Sequence, residues 1–212
     1  MKVKICGIRD METALAAEQG GADFLGFIFY PKSHRYIEPE SAADIASKLH
    51  RVKKVGVFVD APLEQVHLIA AKVGLDYVQL HGHETAEYAS RVRYPVIKAW
   101  RYGDGFTAKK ANEFPSELVL VDSFVKGQAG GTGETFAWQE AAEELKQLKK
   151  SWLLAGGISV RNIKEAAEIF QPYGVDVSGS LEVNGEKSPK KIQEFLQVVK
   201  GLGGNRNERY SG

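Results

Sequence analysis

From end to end the chain alternates between short apolar runs rich in β-branched and aromatic residues and longer segments with apolar residues at three- and four-residue spacing. That is the sequence form of repeated βα units, and it recurs about eight times. The strand candidates are residues 3–6, 23–29, 54–59, 76–81, 96–100, 118–122, 152–157 and 174–178. Each is mostly apolar on both faces, as expected of parallel strands covered outside by helices and filled inside by side chains. Amphipathic helices are predicted for the segments METALAAEQG, PESAADIASKLH, APLEQVHLIAAKVG, AWQEAAEELKQLKK, SVRNIKEAAEIF and SPKKIQEFLQVVKGLG. Asp10 marks the start of the first, Asp60 with Pro62 the start of the third, and Ser188 with Pro189 the start of the last. The unit after Arg101 offers only a turn or two of helix.

Eight strands with eight crossovers leave a closed barrel or an open doubly wound sheet. An open sheet usually places a Gly-rich phosphate fingerprint after its first strand, whereas here the glycine clusters come at the sixth, seventh and eighth units. The expectation is a single-domain α/β (βα)8 TIM barrel over residues 1–202, with a glycine-rich, polar and frayed tail over 203–212. A length of 212 residues suits one such domain.

The 28 Lys and Arg against 27 Asp and Glu give no basic field, which argues against nucleic acid or an anionic membrane as partner. No apolar run reaches the roughly 18 residues of a spanning helix, and the N-terminus lacks the apolar core of a signal peptide. The single cysteine, Cys6, cannot form an intramolecular disulfide and suits a reducing, cytoplasmic setting.

Residues that close barrel strands face the catalytic end. Cys6 closes the first strand, where it is either a small buried hydrophobe or a reactive thiol. Lys4, two residues back, shares its face, and its charge would favour the thiolate. Asp122 closes the sixth strand as either a polar plug hydrogen-bonded to loops or an acid facing the pocket, its pKa raised there by burial. The run KGQAGGTGETF (126–136) lacks the P-loop lysine and the GxGxxG spacing, yet its glycines can turn backbone N–H groups toward an anion. AGGIS (155–159), with Gly156 and Gly157, and VSGS (177–180) are two further small-residue strand ends of the kind that cradle phosphate, or else tight turns.

Lys32, His34 and Arg35 form a basic cluster after the second strand. Arg35 either lies on a solvated loop or clamps a planar carboxylate. HGHE (81–84) lacks further ligands at metal-site spacing, so no metal is expected, and His81 reads as a hydrogen-bonding pocket residue with Gln79 on the same face.

Taken in order, KICGIRD, DFLGFIFYPKSHRYI, VGVFVD, VQLHG, VDSFVKGQAGGTGETFAW, LLAGGIS and GVDVSGSLEVNGEKSPKKI resemble phosphoribosylanthranilate isomerase of tryptophan biosynthesis over nearly the whole chain. The resemblance implies a cofactor-free (βα)8 barrel, monomeric or homodimeric. Its reaction would be the Amadori rearrangement of N-(5-phosphoribosyl)anthranilate to 1-(2-carboxyphenylamino)-1-deoxyribulose 5-phosphate. It makes Cys6 the general base, Asp122 the general acid and Arg35 the partner of the anthranilate carboxylate. It assigns the phosphate to backbone around Gly131, Gly133, Gly157 and the turn of Ser178, Gly179 and Ser180. Two departures stand out: FAW (Phe136, Ala137, Trp138) replaces the familiar FDW, and the glycine of the eighth-strand motif is displaced by one. Rival readings are a neighbouring phosphate-binding barrel synthase or lyase, which would not supply Cys6, a non-enzymatic phosphosugar-binding regulator, and a bifunctional isomerase that also accepts the histidine-pathway aminosugar.

Overall fold

The computed structural model describes residues 1–122 and 141–204. Among them, eight strands pair parallel to their neighbours in chain order, and the last returns to the first to close a barrel. They are β1 (Lys2–Cys6), β2 (Phe24–Ile28), β3 (Lys53–Phe58), β4 (Tyr77–Leu80), β5 (Val96–Arg101), β6 (Leu118–Asp122), β7 (Trp152–Ala155) and β8 (Gly174–Val177). Each falls on a predicted apolar run. The helices between them are α1 (Met11–Gly20), α2 (Pro39–Ala46), α3 (Leu63–Val73), α4 (Ala86–Ser90), α5 (Ala108–Glu113), α6 (residues 141–145), α7 (Ile163–Phe170) and α8 (Pro189–Gly204). A two-stranded hairpin, β9 (Glu182–Val183) with β10 (Glu186–Lys187), rises between β8 and α8. The tail from residue 205 lies outside the described residues. No described helix is long and apolar enough to cross a membrane.

Alternation along each strand separates two cores. Outward residues such as Val3, Ile5, Leu25, Val119 and Leu154 join the helices in one large cluster. Inward residues Phe24, Val55, Ile97, Ala99, Leu118, Leu120, Leu153 and Ala155 fill the barrel in a second, smaller one.

The helix ends show where local signals hold and where tertiary contacts override them. Asp10 caps α1 as expected, its carboxylate accepting the Thr13 N–H at 2.8 Å. Asp60 does not cap α3. The chain passes through φ 48° at Asp60, whose carboxylate instead accepts the His83 N–H, and the helix starts behind Pro62 with no side-chain cap. Helix α2 stops at Ala46, short of the predicted His50, because the buried Glu18 carboxylate gathers the N–H groups of His50, Arg51 and Val52 and turns the chain into β3. Helix α7 begins at Ile163 rather than at Ser159, since Ser159 and Asn162 bond each other in the preceding loop. The short α4, absent from the periodic segments, is held by the Thr85 cap on the Tyr88 N–H.

Candidate active site

The barrel interior is apolar in its lower half and polar at the C-terminal ends of the strands. Lys4 and Gln79, fully buried on β1 and β4, begin the polar layer. The Lys4 ammonium lies 2.8 Å from the carboxylate of Asp176 on β8. One step higher on β1 stands Cys6, which is 6% exposed. Gly26 on β2 makes its room: a Cβ there would stand 2.8 Å from the Cys6 Sγ and 3.1 Å from the Lys4 Nζ.

This setting explains the state of the thiol. Burial raises the Cys6 pKa, the Lys4 charge and hydrogen bond lower it, Asp176 raises it and Lys187 lowers it, and the sum is upward. The expected Lys4–Cys6 contact is therefore present, but burial outweighs it.

Beside Cys6 runs a charged chain assembled from β8, its hairpin and the loop after β2. Arg35 donates from Nε and Nη2 to the two oxygens of Glu182, at 2.5 and 3.0 Å. Lys187 donates to Glu182 Oε1 at 2.6 Å and to the Ser178 hydroxyl at 3.2 Å. These two cations hold the Glu182 pKa down at about 2 against the cost of burial. Ser178 donates in turn to the Cys6 carbonyl at 3.0 Å. The Ser180 hydroxyl donates to the Ile158 carbonyl at 2.6 Å, so it is engaged with the chain after β7. Gly179 opens the single 3-10 turn between them. Of the basic cluster, only Arg35 has a charged group seated in this chain; Lys32 is exposed, and His34 Nε2 stands 3.9 Å from Glu182.

Asp122, at the end of β6, lines a cavity of about 340 Å³ with His81, Gly82, His83, Trp100 and Arg101 among its walls. Gln79 lies behind His81, its amide Nε2 2.8 Å from His81 Nδ1. Its Oε1 has no hydrogen-bond partner among the described residues. Residue 81 is exposed as a whole, but burial of its imidazole against the pocket wall lowers its pKa, with Asp176 and Asp122 opposing and Lys4 and Lys98 adding to the effect. His83 turns away to Asp60, and Glu84 is sunk in a buried ion pair with Lys98 at 2.9 Å. The residues of HGHE thus point to three different places, and three or more metal-ligating side chains gather nowhere among the described residues.

Gly156 and Gly157 follow β7 directly with φ of 89° and 66°, a backbone conformation that favours glycine, and the chain beyond them meets the β8 turn where the Ile158 carbonyl accepts the Ser180 hydroxyl. Gly131 and Gly133, and the FAW departure, lie outside the described residues. Sequence reading did not single out Gly26, Asp176 or Lys187, and knew Glu182 only as part of a motif. Asp176 carried a signal, since it precedes Ser178 by two residues on the closing strand, as Lys4 precedes Cys6 on the opening one.

A closed βα barrel with a buried thiol and a strand-end carboxylate on its catalytic face, next to a guanidinium, defines an acid–base barrel enzyme for a small anionic substrate. The comparisons narrow this class. The sequence profile of N-(5'phosphoribosyl)anthranilate (PRA) isomerase matches residues 3–198, and the chain belongs to that family. It is 40% identical to N-(5'-phosphoribosyl)anthranilate isomerase of Listeria monocytogenes, covering 95% of this chain and all of that one. It superposes on the crystal structure of phosphoribosyl anthranilate isomerase from Thermus thermophilus with a TM-score of 0.83 at 35% identity, over 95% and 100% of the two chains. A further phosphoribosyl anthranilate isomerase, solved with reduced 1-(o-carboxyphenylamino)-1-deoxyribulose 5-phosphate, gives a TM-score of 0.81 at 34% identity, over 95% and 99%.

Proposed function

We propose that this barrel converts N-(5-phosphoribosyl)anthranilate to 1-(2-carboxyphenylamino)-1-deoxyribulose 5-phosphate with Cys6 as general base and Asp122 as general acid. The observation that carries the assignment is the placement of both groups at strand ends on one face of the barrel, with Lys4 against the thiol. Asp122 gives its proton to the ribose ring oxygen as the C1′–O bond breaks and the nitrogen lone pair forms a C1′=N iminium. Cys6, as thiolate, takes the C2′ proton, and the electron pair left behind forms the C1′=C2′ bond and neutralises the nitrogen. The enolamine then gains a proton at C1′ and loses one from the C2′ hydroxyl, giving the ketone. Substrate and product are isomers, so no external oxidant or reductant enters.

Arg35 receives the anthranilate carboxylate, and backbone at Gly131, Gly133, Gly156, Gly157 and residues 178–180 receives the phosphate. Anchoring both ends fixes the sugar between acid and base, which converts binding energy into orientation. His81 lines the wall beside Asp122, and Gln79 holds its ring from behind. A fluorescence assay with substrate generated in situ, together with rescue of a tryptophan auxotroph, tests the reading. Turnover and rescue are expected; failure in both would overturn it.

A further inference from the structure

Glu182 has no part in the chemistry just described, yet its carboxylate is shared between the Arg35 guanidinium and the Lys187 ammonium beside the base. A guanidinium carries five N–H donors in one plane and can meet a carboxylate bidentately along its Nε/Nη2 side edge or along its Nη1/Nη2 end edge. Glu182 occupies the side edge in full, through Nε and Nη2. Among the described residues no hydrogen bond is made by Nη1, so the end edge carries the free donors. A Cβ at Gly179 would stand 3.4 Å from Nη2, and the lack of a side chain there keeps that end uncrowded.

Glu182 is itself held firmly. It pairs with Lys187 across the β9–β10 hairpin, its carbonyl accepts the Lys191 ammonium at 2.7 Å, and its side chain is only 10% exposed. Lys187 is spent on Glu182 and Ser178 and is 3% exposed, so it has no face to offer a ligand.

We propose that Glu182 is a positioning residue that locks the plane of Arg35, presents its end edge to the carboxylate on the substrate's aromatic amine, and so sets the preference of the site for a carboxylated substrate. This rests on the role given to Arg35 above. The test compares kcat/KM for N-(5-phosphoribosyl)anthranilate and for its carboxylate-free analogue N-(5-phosphoribosyl)aniline in the parent, Arg35→Met, Glu182→Gln, Glu182→Asp and the Arg35→Met/Glu182→Gln double variant.

One well-aligned charge-assisted hydrogen bond is worth about 1.5 kcal/mol or more, so Glu182→Gln should lower the ratio of kcat/KM between the two substrates by about tenfold. KM should carry the change more than kcat. Glu182→Asp, which keeps the charge but shortens the reach, should lose selectivity in the same direction, and covers the case in which Glu182→Gln folds poorly. In the Arg35→Met background, Glu182→Gln should add no further loss of selectivity. An unchanged ratio in both Glu182 variants, or a loss that persists without Arg35, would overturn the proposal. A parent-like ratio in Arg35→Met would instead overturn the carboxylate role of Arg35 itself.

Discussion

The ammonium of Lys4 is buried 2.8 Å from the carboxylate of Asp176, across the seam where β8 meets β1 and directly below Cys6. The two charges act on the thiol with opposite signs. Lys4→Met leaves burial and Asp176 acting with less opposition, so the thiolate forms at higher pH and the rising limb of kcat against pH moves up. Asp176→Asn removes one upward influence and moves that limb down. Each variant strands a buried charge, which costs about 3–5 kcal/mol, so both pH profiles should be read well below the lowered Tm. Displacement of both limbs in one direction would contradict the arrangement.

Cys6→Ala and Asp122→Asn should each lower kcat at least ~100-fold, the lower bound for a positioned acid or base. Binding of the reduced product analogue, followed by calorimetry, should persist in both. Near-parental turnover in either would remove that residue from its role.

Gly26→Ala should disable the enzyme without touching a reacting group. Its Cβ would enter within 2.8 Å of the Cys6 Sγ, a distance at which the thiol must shift. Misplacement of a catalytic atom by about 1 Å costs on the order of 100-fold. The expected result is a large loss in kcat with a far-ultraviolet dichroism spectrum like that of the parent.

The Glu182 carboxylate makes stability depend on acid. Its folded pKa is lowered to about 2 from an ordinary 4.5, so the folded state favours the ionised form. The stabilisation is complete above about pH 4.5 and disappears as pH falls through about 2. Glu182→Gln also leaves the nearly buried Lys187 ammonium without its anion, so we expect a loss of about 3 kcal/mol, or a Tm difference of roughly 6–12 °C between parent and Glu182→Gln at neutral pH. Thermal melts at pH 7 and at pH 3 should show that gap narrowing on acidification; a gap that widens would place the stabilisation elsewhere.

The barrel was legible because parallel strands covered on both faces need continuous apolar runs, and each such run in this sequence became a strand. Strand-end position drew attention to Cys6 and Asp122, although position alone left Cys6 a buried hydrophobe or a base, and resemblance supplied the roles. What stayed hidden is non-local. Glu182 lies 147 residues from Arg35, and Asp176 lies 172 from Lys4. No window along the chain contains either pair. Asp60 misled for a related reason: its cap signal was genuine in type, but a backbone N–H from the neighbouring loop won its carboxylate. Helix α2 likewise ended where Glu18, thirty-odd residues back, took the N–H groups that more helix would have used.

The seam between β1 and β8 has a consequence for the newborn chain. Cys6 leaves the ribosome well ahead of Asp176, Ser178 and Lys187, which surround it; Ser178 follows it by 172 residues. Until those residues emerge the thiol stands without these neighbours, so the catalytic end is completed only when β8 docks against β1. The appearance of activity on a stalled or time-resolved translation product is therefore a clock for closure of the barrel, and truncation before β8 should give a chain with seven strands and no enzyme.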